Sequence, residues 1–310
     1  MGRKYELLKD EAIDFYGKTL YRIRATENFG DVYEGEKGGY IESYDNLTDS
    51  AWVSGDAKVC DNARVSGEAI VRDDALVIAN AKVCAEAIVC DSAAVSGNAR
   101  VTGCATVRSS ARVTGCAWVG GNAVVCGAGQ VTDDAQVYSH ALISSATVCG
   151  KATVCGKARV GHSAIISGNA TVCGNALVGG NARVTGISVV RGAAAVGGNA
   201  VVTDAATVTG NAQVTGNTRV ACAALVDGNA QLSDATDILT ISLIGYNNDS
   251  ITFFKCDDAK IHVIVGDFRG TIDELAAWIE KNDIKHAVVY DLAMQMAKQT
   301  IKIETEDESK

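Results

Sequence analysis

Ala57-Lys58-Val59-Cys60-Asp61-Asn62-Ala63-Arg64-Val65-Ser66-Gly67-Glu68 contains two turns of the pattern that decides the fold. Ala57 and Val59 are two residues apart, so on an extended strand they share one side while Lys58 points to the other. Ala63 and Val65 repeat the arrangement six residues later, with Arg64 outward. Small or polar residues fill the gap, and Gly, Asp and Asn tolerate the left-handed backbone that a tight corner needs. A helix is excluded, because the apolar spacing alternates two and four and β-branched Val dominates.

Outward from this stretch the pattern becomes a clock. Every sixth residue from Ile41 to Ile143 is Val, Ile or Leu, and after one five-residue step the clock resumes at Val148 and runs to Leu232. A small residue sits two before nearly every clock position, with Gly129, Ser188 and Thr218 as departures from Ala. A repeat this short cannot bury its own apolar face, so it must stack on its neighbours. Three units close a triangular coil of eighteen residues, and coils stack at roughly 4.8 Å. About eleven coils are expected, a stack on the order of 50 Å long. The narrow Ala/Val core agrees with an aromatic content of only 5%.

The segments outside the clock read as caps over otherwise unpaired strand edges. Residues 1–40 form an N-terminal cap, 41–236 the β-helix, 237–302 a small α+β domain and 303–310 an acidic tail. Strand-like runs at 238–245, 251–256 and 261–266 precede a helix opened by a Thr271/Glu274 capping box, and a second helix is expected over about 286–299.

The repeat resembles the hexapeptide-repeat family of left-handed parallel β-helices over residues 41–232, and the left hand is implied by that resemblance. Phe29-Gly30-Asp31-Val32 with Gly38-Gly39-Tyr40-Ile41-Glu42 before the clock, and Gly266, Phe268, Gly270, Thr271, Asp273 and Glu274 after it, resemble the flanks of a group of bacterial and bacteriophage β-helix proteins often labelled transferases. The fold therefore reads as mainly β, a triangular left-handed solenoid with an N-terminal cap and a C-terminal α+β domain. The same fold carries many unrelated functions, so function must come from sites.

Counting in eighteens sorts the outward residues into columns. One reads Trp52, Ile70, Ile88, Thr106, Val124, Leu142 and, across the slip, Arg159, Leu177, Ala195, Gln213. A stripe of large apolar side chains marks an interface. Trp52, Ile70, Ile88, Val124, Leu142 and Leu177 are the expected oligomer contacts, in a homodimer or homotrimer. Arg72 and Arg108 flank this stripe as candidate anion ligands. A third column stacks Arg64, Lys82 and Arg100, with Glu68 and Glu86 expected to neutralise them.

Catalytic signals are sparse. Acyltransferases that resemble this repeat use a histidine and a loop interrupting the hexads, whereas here the coils hold only His140 and His162 and no such loop. No catalytic residue is expected, and His162 is the candidate should the chain be an acyl-CoA-dependent transferase. Two coil histidines fall short of a three-histidine zinc site. No CxxC or Cys/His spacing suggests a metal, so neither metal nor cofactor is expected.

The net charge of −9 argues against binding duplex nucleic acid. No membrane segment stands out. The odd count of 11 cysteines, most at positions that Ser, Thr or Gly fill elsewhere, fits a reducing cytoplasm. The expected function is a non-enzymatic, self-associating binding or scaffold protein. The alternatives are a phage factor that sequesters a small anionic, nucleotide-like signal at a subunit interface, and the acyltransferase.

Overall fold

The computed structural model describes residues 3–244, 249–282 and 286–303. The acidic tail from 304 onward and the Asn247-Asn248 turn lie outside them. The chain forms two compact units, residues 1–161 and 162–310. Both contain short strands of two or three residues at six-residue spacing, arranged in parallel ladders as a left-handed β-helix, and the coils of the two units together number about 11.

The first unit opens with an antiparallel hairpin, β1 (Tyr5–Phe15) and β2 (Lys18–Ala25). β2 pairs antiparallel with β3 (Lys37–Ile41), and β3 pairs parallel with the strand Lys58–Val59 of the first coils. The cap thus converts an edge that would otherwise present free N–H and C=O groups into a paired one. Gly38 and Gly39 are required at this junction, since a Cβ at Gly39 would meet the Ala57 carbonyl at 2.7 Å and one at Gly38 the Val53 carbonyl at 2.5 Å.

Inside the coils the paired Ala and clock residues are almost completely buried, from Ala57 and Val59 to Ala230 and Leu232. Where the small residue is polar, its hydroxyl is satisfied: Ser188 donates to the Thr185 carbonyl at 2.7 Å and Thr218 to the Asp234 carbonyl at 3.2 Å. At Gly129 a Cβ would lie 2.9 Å from the Cys126 carbonyl, so alanine does not fit.

Each corner carries one residue with left-handed backbone, most often Gly, with Asp at 49, 61, 73, 91, 133 and 204 and Ala, Ser, His or Cys at the rest. The aspartates do more than tolerate this conformation. Asp73 accepts the backbone N–H of Asp91 at 3.1 Å, and Asp91 that of Ser109 at 2.8 Å, tying each corner to the next coil. Corner asparagines stack likewise, Asn62 on Asn80 and Asn80 on Asn98, each at 3.1 Å.

The skipped residue after Ile143 has a structural explanation. At a regular corner the residue after the left-handed one donates to the carbonyl of the next coil's left-handed residue, as Ser110 does to Gly127 at 2.9 Å. At the shortened corner Ser145 (φ 57°) supplies its side-chain hydroxyl instead, accepting the Ala128 N–H at 3.2 Å. The pairing recovers at once, with Leu142 opposite Arg159.

In the second unit the coils lead into a four-stranded antiparallel sheet, Ile238–Ile244, Asp249–Lys255, Ile261–Val265 and Phe268–Thr271, followed by α1 (Ile272–Asn282) and α2 (Ala287–Thr300). Thr271 and Glu274 form the expected capping box: the Glu274 N–H donates to the Thr271 hydroxyl, and the Thr271 N–H to the Glu274 carboxylate at 2.8 Å. Ile272, Leu275 and Ile279 of α1 and Tyr290, Ala293 and Ala297 of α2 share a core with Ile251, Phe253, Val263 and Val265 of the sheet. The fourth strand, Phe268–Thr271, carries no sequence signal that separates it from the turn before the helix, and it is its pairing with Ile261–Val265 that defines it. Among the described residues no helix is long and apolar enough to cross a membrane.

Candidate functional site

Backbone register places the outward columns directly. In the first unit Trp52, Ile70, Ile88, Thr106, Val124, Leu142 and Arg159 succeed one another in a single parallel ladder. Ile70, Ile88, Val124 and Leu142 are partly exposed. Trp52 is a correction to the stripe: Phe29 of the cap lies edge-on to it at 5.6 Å between ring centroids, leaving the residue 5% exposed. The solvent-facing stripe therefore starts at Ile70. In the second unit Leu177 is 48% exposed and is followed in its ladder by Ala195 and Gln213. Elsewhere in that unit Val288, Leu292 and Met296 of α2 are also exposed.

Arg72 and Arg108 stand on either side of buried Cys90, in the position just after the clock residue. Arg72 is held by Asp73 at 3.0 Å, whereas Arg108 makes no ion pair among the described residues. The expected neutralisation of Arg64, Lys82 and Arg100 does not form. These three stack in register on a flat face, with no ion pair within 4 Å among the described residues. Glu86 accepts the Cys104 thiol at 3.4 Å instead.

His162 occupies an exposed left-handed corner (φ 58°) and has no carboxylate partner among the described residues. His140, also exposed, lies 3.4 Å from the Asn122 amide. Neither corner offers the oriented base and enclosed surface that general-base chemistry needs.

A different constellation lies in the second unit, where the antiparallel sheet meets the last coil. The register that pairs Phe254 with His262 also puts Cys256 on their side of the sheet. That side faces the coil: Cys256 bridges Ala230, Asp257 donates its N–H to the Asn229 carbonyl at 3.2 Å, and Thr252 accepts the Leu225 N–H at 3.2 Å. The cleft so formed has a volume of about 430 Å³ and is lined by Asp227, Asn229, Cys256, Asp258, His262 and Arg269.

The Cys256 sulfur, an Asp258 carboxylate oxygen and a His262 ring nitrogen all lie within 4.8 Å of one another. His262 Nε2 is 2.9 Å from Asp258 Oδ2, and its ring stacks on Phe254. Asp258 Oδ1 accepts the Lys260 N–H at 3.1 Å, which fixes the carboxylate over the hairpin turn. Burial, with the Asp258 and Asp257 charges, pushes the Cys256 thiol up to about 12. Burial also opposes ionisation of Asp258, but the hydrogen bond and charge of His262 outweigh it and hold that carboxyl below its ordinary value.

The sequence does not mark this group, because its ligands follow neither a CxxC nor a familiar Cys/His spacing. The available signal was Cys256-x-Asp258-x-x-x-His262 across a predicted hairpin. Among the described residues two further groups of a thiol with two carboxylates occur, and both are already occupied by the chain's own donors. Lys18 bridges Glu42 and Asp61 beside Cys60, and Arg72 holds Asp73 beside Cys90.

Residues 164–180 match a family described as the YdcK beta solenoid repeat. The match covers about one coil of the second unit and bears on the repeat alone. No curated protein matches the chain.

Proposed function

We propose that this protein is a non-enzymatic β-helix scaffold that associates with a second copy of itself through the stripe Ile70, Ile88, Val124 and Leu142. The observation that carries the proposal is the register of these side chains: one large apolar group per coil, directed outward, broken only at Thr106. A stripe with the spacing of the coil repeat is complementary to itself, because a two-fold axis across it sets identical ridges against identical grooves. Arg72, Asp73 and Arg108 along its margin supply the polar rim that such interfaces have. Neither coil histidine is set up for acyl transfer.

Light scattering coupled to size exclusion tests the proposal. Wild type should run at twice the mass of one chain, and Ile88→Lys/Val124→Lys at the mass of one. A monomeric wild type, or a double variant of unchanged mass, rejects this interface. Native mass spectrometry on the same preparation reports whether the dimer carries a small anion. A stoichiometric adduct lost in Arg108→Ala would favour the sequestering reading instead.

A further inference from the structure

We propose that the cleft between the C-terminal sheet and the last coil is a transition-metal site, with Cys256 Sγ, an Asp258 carboxylate oxygen and His262 Nε2 as ligands to a zinc-class divalent cation. The donor set selects the metal. A thiolate with an imidazole favours zinc-class ions over magnesium or calcium, which take oxygen donors. Zinc at bond lengths of about 2.0–2.3 Å holds tetrahedral ligands roughly 3.3–3.8 Å apart. The three donor atoms already lie within 4.8 Å of one another, so side-chain rotations are enough to close the site.

The surroundings distinguish this group from the other two thiol–carboxylate clusters. It alone among them contains a histidine and lines a cleft, and no lysine or arginine is paired with Asp258 among the described residues. The guanidinium that lines the cleft, that of Arg269, lies 3.9 Å from Asp227. The ligands are also anchored. Cys256 and Asp257 are tied to Ala230 and Asn229 of the last coil, and Asp258 to its own turn. Such outer hydrogen bonds orient metal ligands and strengthen binding.

Binding follows a balanced exchange. The Cys256 S–H bond breaks, a sulfur–metal bond forms, and the proton leaves to solvent. His262 binds as the neutral imidazole, its Nε2 lone pair forming the nitrogen–metal bond and its single ring proton carried on Nδ1. Three protein ligands leave the fourth position open toward the cleft, where a water or a small anion has room.

The test uses the full chain, stripped with chelator and titrated with cobalt(II), then zinc(II). One cobalt per chain should bind, with the intense visible bands of four-coordinate cobalt and a thiolate charge-transfer band, and zinc should abolish both. Cys256→Ser should lose the charge-transfer band, and His262→Ala should bind at least about tenfold more weakly. Cys60→Ser should bind like wild type. No cobalt bands in wild type, or bands that persist in Cys256→Ser, would overturn the proposal. Should Cys256→Ser fail to fold, the more exposed ligands decide the matter, and unchanged affinity in both Asp258→Asn and His262→Ala is equally fatal.

Discussion

The Ser145 hydroxyl accepts the Ala128 backbone N–H at 3.2 Å, and through this bond the coils absorb a missing residue without losing register. Ser145→Ala should therefore cost about 1 kcal/mol, the usual net value of such a bond. A Cβ at Gly127 would press on the same hydroxyl, so Gly127→Ala should displace it and break the same contact. The double variant should then lose less than the sum of the two single losses. Urea denaturation of the four proteins measures this coupling, and full additivity would show that Ser145 does not bridge the corner.

Phe29 covers Trp52, and truncating it opens the first coil. Phe29→Ala should destabilise the chain by about 3 kcal/mol. It should also shift the Trp52 contribution to fluorescence toward the red, since that indole is 5% exposed beneath the Phe29 ring. Fluorescence-monitored unfolding records both effects, and an unshifted spectrum would mean that the cap does not shield Trp52.

The capping box at α1 makes stability depend on pH in a defined direction. The Thr271 backbone N–H, then its hydroxyl, hold the Glu274 carboxyl below its ordinary value of 4.5. A depressed folded value means that the unfolded chain takes up the proton first. The contribution is therefore complete above 4.5 and disappears as pH falls through the folded value. Wild type should melt above Glu274→Ala at neutral pH, and the gap should close in acid. Thr271→Ala, which removes the other half of the box, should cost about 1 kcal/mol.

Thiol reactivity should follow burial. Burial, then the charge of Asp61, push the Cys60 thiol up to about 11, so little thiolate exists at neutral pH. Cys116 and Cys222 are exposed at corners. Iodoacetamide with peptide mapping should label Cys116 and Cys222 in the native protein and Cys60 only on unfolding. Equal rates would show that the first coils open readily.

The columns were legible in the sequence because parallel, in-register stacking turns counting into geometry. Ile70, Ile88 and Thr106 are neighbours by spacing alone, and Leu142 opposite Arg159 follows once the five-residue step is seen. Contacts made by non-repeating segments were not legible. Nothing in the spacing says that Phe29 folds onto Trp52. His262 and Cys256 meet because one particular hairpin register puts both on the side facing the last coil. A shift of one residue would have sent His262 to the opposite face.

Within the first unit, the corner-to-corner bonds make each coil an interchangeable part. Excising residues 73–90 would bring Arg72 to Asp91, leave Ile70 beside Thr106, and keep every remaining side chain on its own face, since the cut equals one full circuit. A cut of six or twelve residues would keep the clock residues inside but move the downstream outward side chains to another face, and a cut that is not a multiple of six would break the clock itself. Length in this architecture can therefore change by whole coils while surface chemistry stays fixed, which lets a spacer be lengthened or trimmed independently of what its sides recognise.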